Sequence, residues 1–112
     1  MSNPAIALIS QFCTPSAKRL ESQEAAALMP QLSGWTITGE VLTKSFQFKN
    51  YYETMAFINA AAWIAHQEDH HPDIAFGYNQ CVIKLSTHSV KGISINDYIC
   101  AAKIDSIYRG KK

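Results

Sequence analysis

The chain has little of what staples, anchors or electrostatically commits a protein. Its 112 residues include three cysteines, Cys13, Cys81 and Cys100, widely spaced and without a CxxC pair. That pattern favours neither a disulfide framework nor a cysteine zinc site, and it points to a reducing, intracellular setting. The apolar run Ala5 to Ile9 is far too short for a membrane span, and no basic segment precedes it as a secretory signal requires. A soluble, cytoplasmic protein is the expectation. The formal net charge is only +1, with scattered lysines and arginines apart from Arg109, Lys111 and Lys112. No standing attraction to nucleic acid or anionic membrane follows from such a balance. Internal repeats and low-complexity segments are lacking too.

Hydrophobic residues make up 47% of the chain and aromatics 11%, enough apolar area for one core and one small domain. A domain of this size is only marginally self-sufficient, so a homodimer or homotetramer is expected. Residues 1–21, which carry Pro4, Pro15 and several small residues, read as a loosely ordered lead-in, and residues 22–112 as the domain.

From Ser22, a candidate N-cap, the positions Ala25, Leu28, Met29 and Leu32 recur at helical spacing, and Pro30 and Gly34 limit that helix. Trp35 to Thr38 alternates apolar and polar, and Gly39-Glu40 can turn the chain. Leu42, Lys44, Phe46 and Phe48 then share a face of a second strand, with Lys44 at the margin or extending its stem over the core. Asn50 can cap a long helix to about Asp69, with Tyr51, Met55, Ile58, Ala62 and Ala65 on one side, Phe57, Ala61 and Ile64 widening it, and Pro72 ending it. Ile74 to Tyr78 and Cys81 to His88 form a second strand pair, with Cys81, Ile83, Leu85 and Thr87 facing one way. Ser94-Ile95-Asn96-Asp97 resembles a capping box opening a third helix carried by Ile95, Ile99 and Ala102. The order α-β-β-α-β-β-α predicts an α+β two-layer sandwich, an antiparallel sheet with helices on one face.

The chemistry is concentrated in four histidines. His66, His70 and His71 fall within six positions before Pro72, and His88 lies on the last strand. Imidazole is the side chain that exchanges protons near neutral pH without help, so the cluster suggests proton transfer. Other readings stand beside it. His66 and His70, four apart on a helix, could hold zinc, although Gln67 stands where a metalloprotease places glutamate. His71 could donate to a carbonyl where the helix ends, His88 could face water, Asp97 could be only a cap, and Trp35 and Tyr78 could be core.

The run His70-His71-Pro72, the Tyr78-Asn79 turn, Leu85-Ser86-Thr87-His88 and the segment Gly92 to Asp97 resemble, in order and spacing, the signature of the pterin-4a-carbinolamine dehydratase family. The resemblance extends through Gly34-Trp35 and Phe46-Gln47-Phe48, from about Leu20 to Asp105. It implies a four-stranded antiparallel sheet backed by helices. It also implies dehydration of 4a-hydroxytetrahydropterin to quinonoid dihydropterin, in tetrahydrobiopterin recycling, with no metal or redox cofactor. On that resemblance His70, His71 and His88 form the acid/base set and Asp97 orients or charges a histidine. Pro72, Thr87 and Ser89 flank the pterin, Trp35 supplies an apolar wall, and His66 belongs to the substrate surroundings. One departure is His66 itself, four before His70, where the family often has glutamate. Some family members also serve as dimerisation cofactors for a homeodomain transcription factor, so a protein-interaction module is an alternative to the enzyme.

Overall fold

The computed structural model describes residues 7–108. Three helices and four strands alternate as the sequence order predicts: α1 Ser22–Leu28, β1 Thr36–Thr38, β2 Val41–Gln47, α2 Tyr51–Glu68, β3 Asp73–Phe76, β4 Gln80–Leu85 and α3 Ile95–Ser106. Each strand pairs antiparallel to its neighbour, and the sheet order is β1-β2-β4-β3. The two hairpins are thus joined through their second strands, with Leu42 opposite Leu85, Lys44 opposite Ile83 and Phe46 opposite Cys81. Because strand side chains alternate between faces, these pairs share one face, and all but Lys44 are buried. Lys84, Ser45 and Gln47, out of phase with them, are exposed.

Lys44 stays on the core side by stretching its stem across apolar surface. Its ammonium lies 4.8 Å from the Phe46 ring centre and donates to Ser33 O and Asp105 Oδ1, each at 2.9 Å. Gly39, with φ 63°, opens the two-residue turn of the first hairpin, a backbone region that glycine enters without penalty. The second hairpin's loop is tied to the start of α2 by Thr54 Oγ1, which donates to Tyr78 O at 3.0 Å.

Several local readings shift. The N-cap of α1 is Glu21, not Ser22: its side chain and that of Glu24 form a reciprocal capping box. The buried positions of α2 are Thr54, Phe57, Ala61 and Ala65, while Tyr51 and Ala62 are exposed. The apolar stripe read from the sequence is therefore rotated, because Thr54, satisfied by Asn50 O and Tyr78 O, can be buried as readily as an aliphatic residue. α2 ends at Glu68, beside the expected Asp69, but the stop is made ahead of Pro72. Asp69 adopts the left-handed conformation (φ 53°), and the Asp69 and His70 amides donate to the His66 and Ala65 carbonyls at 3.2 and 3.0 Å, which closes the helix. Strand β4 stops at Leu85, and His88 instead begins a 3-10 turn, His88–Val90.

The segment expected to be a loose lead-in lies mostly at the surface where it is described, but it is anchored at several points. Leu8 is fully buried in the core, and the Cys13 and Thr14 amides donate to Glu68 Oε1 (2.8 Å) and Asn96 Oδ1 (3.0 Å). Residues 1–6, which include Pro4, lie outside the described residues. Leu8→Ala is expected to cost about 2–5 kcal/mol of unfolding free energy, the scale of a cavity in a packed interior. Urea unfolding measures it, and a loss below about 0.5 kcal/mol, typical of surface positions, would return this segment to the periphery.

Candidate active site

The left-handed turn at Asp69 takes His70 off the helix and buries it, with 8% of its surface exposed, whereas His66 and His71 on either side are exposed. Opposite stands Asp97 at the first turn of α3, fully buried. A buried carboxylate is tolerated only when its oxygens are matched by donors, and three elements converge to match them. His70 Nε2 lies 2.5 Å from Oδ1. Thr87 Oγ1, just past β4, donates to Oδ2 at 2.7 Å, and the Ser94 amide donates to the same oxygen at 2.9 Å.

The hydroxyl directions follow from donor counting. Thr87 spends its proton on Asp97, so in the 2.6 Å contact between Thr87 Oγ1 and Ser94 Oγ the serine donates. Ser94 Oγ in turn accepts from the Asn96 amide at 3.2 Å. By the same logic an ionised Asp97 only accepts, so His70 carries a proton on Nε2. Its Nδ1, without a hydrogen-bond partner among the described residues, is the nitrogen available to take or give a proton. The hydrogen bond to Asp97 is the main influence raising the His70 pKa above the usual imidazole value; burial opposes it, and the Asp97 charge adds to it.

His70 stands between two hollows. The inner one, about 200 Å³, is lined by Cys13, Thr14, Glu68, His70, Thr87 and Ser89 among others. The outer one, about 290 Å³, is lined by Ala62, Ala65, His66, Asp69, His70, His71, Pro72 and Ile74. One histidine thus lines both, with its ring held by a buried carboxylate.

Residues 18–107 match the profile of the family described as Pterin 4 alpha carbinolamine dehydratase. The chain belongs to this family. A Nitrosospira multiformis protein provisionally named pterin-4-alpha-carbinolamine dehydratase is 53% identical over 97 residues, 87% of this chain and 86% of that protein. One of the same provisional name from Hydrogenovibrio crunogenus is 49% identical over 111 residues, 91% of this chain and 95% of that protein. Among solved structures, a transcriptional coactivator/pterin dehydratase from Brucella melitensis superposes with TM-score 0.77 at 34% identity, over 80% of this chain and 98% of that one. A pterin dehydratase-like protein described as a RuBisCO assembly factor in the alpha-carboxysome gives TM-score 0.60 at 26% identity, over 72% of this chain and 96% of that one.

Against this family background the expected site residues separate. His70, Asp97 and Thr87 form one bonded unit. His66, His71 and Pro72 share the outer hollow with His70, and Ser89 lines the inner one. His88 is exposed and lines neither hollow. Trp35 is buried in the core, its indole N–H 3.0 Å from both Asp105 carboxylate oxygens and its ring edge-on to Phe46, and it too lines neither hollow. The geometric argument for a His66–His70 zinc pair fails because His70 has left the helix, and among the described residues no group of three or more His, Cys, Asp or Glu side chains converges on a metal position. Sequence reading missed Cys13, Thr14, Glu68 and Asn96, which line the inner hollow; nothing in local pattern marks the N-terminal pair, since only the tertiary fold brings them beside α3.

The raised His70 pKa makes its pair with Asp97 a pH-dependent stabiliser. The imidazolium is favoured in the folded state, so its contribution is complete below the unfolded value of about 6.5 and is lost as pH rises through the higher folded value. The stability difference between the natural chain and His70→Gln is expected to shrink across that window, measured by urea unfolding in steps from about pH 6 to pH 9. A difference independent of pH would contradict a charged pair.

Proposed function

We propose that this protein dehydrates 4a-hydroxytetrahydropterin, 4a-hydroxytetrahydrobiopterin in particular, to the quinonoid dihydropterin by histidine general acid/base catalysis, in recycling of the tetrahydropterin. The observation that carries the reading is a buried histidine that lines two hollows, fixed through Nε2 to Asp97 and with Nδ1 lacking a hydrogen-bond partner among the described residues. Family membership supports the reaction class.

The elimination needs two proton movements. The N5 proton is removed, the C4a–O bond breaks, and the departing hydroxyl is protonated to leave as water while the N5–C4a double bond forms. His70 takes one of these roles through Nδ1, with Asp97 stabilising the imidazolium as carboxylates do in other acid/base pairs. His71, on the rim of the outer hollow, and His88, in the turn between Thr87 and Ser89, are the candidates for the other role. His66 acts on orientation only. Pro72 and Ser89 offer backbone groups to the pyrimidinone edge of the pterin, whereas Thr87, whose N–H and C=O are engaged with Gly92 and Val90, flanks it. Trp35, by its hydrogen bonding to Asp105, supports the sheet rather than the ligand.

Stopped-flow absorbance of carbinolamine decay tests this directly. His70→Ala is expected to lower kcat by about 10² to 10⁴, the usual contribution of a positioned acid or base. One of His71→Ala and His88→Ala is expected to fall comparably, and His66→Ala by less than about tenfold, an orienting effect. Activity is expected to survive exhaustive chelation. A folded His70→Ala protein retaining most of the rate would sink the proposal, as would loss on chelation restored by zinc.

A self-associated state of at least two copies goes with this reading. Tyr52 and Trp63 on α2 are 80% and 59% exposed and lie about three turns apart on one side of the helix, a face that a second copy would cover. Sedimentation at micromolar concentration is expected to give a dimer or larger; a fully active monomer would refute it.

A further inference from the structure

Cys13 and Cys100 are 87 positions apart in sequence, yet their sulfurs lie 3.9 Å apart. Both thiols are free, and the backbone around Cys13 is held in place. Its amide donates to Glu68 Oε1 at 2.8 Å, and the next residue is bound reciprocally to Asn96: Thr14 N to Asn96 Oδ1 at 3.0 Å, and Asn96 Nδ2 to Thr14 O at 2.8 Å. Glu68 is itself fixed by Lys103 from α3. Cys100 sits one turn beyond Asn96 on that helix and is buried, while Cys13 is half-buried and lines the inner hollow beside His70. The pair is thus anchored on both sides, with Cys13 on the cavity wall and Cys100 directly behind it.

We propose that Cys13 and Cys100 form a reversible redox pair, closed to a disulfide by a peroxide, that locks residues 13–17 against α3 as the wall of the inner hollow. The contact between the two sulfurs lowers the Cys100 thiol pKa and raises that of Cys13, so Cys100 is the sulfur favoured as the thiolate that such chemistry requires and Cys13 the one that resolves it. The deprotonated sulfur attacks the peroxide; the O–O bond breaks, giving a sulfenic acid and one water once the leaving hydroxide takes up the displaced proton. The second sulfur attacks the sulfenic sulfur; the S–S bond forms, the S–O bond breaks, and hydroxide leaves as the second water with the remaining thiol proton. Two thiols are oxidised by two electrons and one peroxide is reduced. The sulfurs must close from 3.9 Å to about 2.05 Å, a displacement that side-chain rotation and a small shift of the N-terminal segment can supply. Cys81, buried on β4 under the sheet's partners, takes no part.

The test treats the full chain with hydrogen peroxide, quenches it, alkylates in denaturant and maps the peptides by mass spectrometry. Expected are linked Cys13 and Cys100 peptides within one chain, alkylated Cys81, and reversal by a thiol reductant. The oxidised protein should melt about 5 °C or more above the reduced one, since a long loop is closed, and amide exchange at Cys13 and Thr14 should slow. Cys13→Ser, at a half-buried position, should abolish the link and the shift in melting. Recovery of Cys13 as sulfinic acid, linkage between chains, both cysteines recovered alkylated, or the same melting shift in Cys13→Ser would each overturn the proposal.

Discussion

The structure turns on one buried carboxylate. Asp97 has no exposed surface, and an ionised carboxyl taken from water is costly unless donors replace the lost hydration. Those donors come from three places: the second residue past α2, the second residue past β4, and the backbone that opens α3. Satisfying the charge therefore fixes how the end of the long helix, the end of a central strand and the start of the last helix meet. Removing one donor would leave a buried charge short of partners, a loss of about 3–5 kcal/mol by analogy with broken buried pairs, comparable to much of a small domain's stability.

The two oxygens of that carboxylate divide the work. Oδ2 closes the α3 capping box and receives the Thr87 hydroxyl, whereas Oδ1 faces His70 alone. Helix cap and partner of a histidine, alternatives when the sequence is considered residue by residue, are one side chain used twice. The arrangement explains why a histidine can be held in a fixed tautomer at a helix end, where termini otherwise fray. The α3 cap cannot loosen without releasing the imidazole's partner.

What was legible in the sequence were features whose signal is local. Alternation in Leu42, Phe46 and in Cys81, Ile83, Leu85 gave two strands with their core faces, and the Ser94 to Asp97 spacing gave a helix start. The seven-element order and the antiparallel sheet followed, and the family signature lay in the histidines, Thr87 and Asp97. Features decided by tertiary contact were not legible. Thr54 is buried because a loop carbonyl 24 positions away completes its hydrogen bonding, Leu8 because other elements cover it, and the Cys13–Cys100 contact because a segment with no periodicity lies along α3. The N-cap of α1 fell to Glu21 over Ser22 because the reciprocal bond with Glu24 spans three positions from there; serine's intrinsic capping preference is the smaller effect when the box is complete.

The histidine cluster shows how proximity in sequence and equivalence in chemistry part. On a continuing helix, His66 and His70 would share a face one turn apart and His71 would stand beside them, three comparable imidazoles. A proline two positions past His70 is compatible with that picture, and nothing in the residue types of Gln67, Glu68 and Asp69 rules it out. The backbone decides differently at Asp69, whose left-handed conformation is one that aspartate tolerates better than most non-glycine residues. That single change of hand turns the chain, sends His70 inward to Asp97 and leaves His66 and His71 at the surface of one hollow. His70 thereby acquires a buried carboxylate partner and a raised pKa, and both originate in a backbone dihedral one residue upstream rather than in the histidine itself.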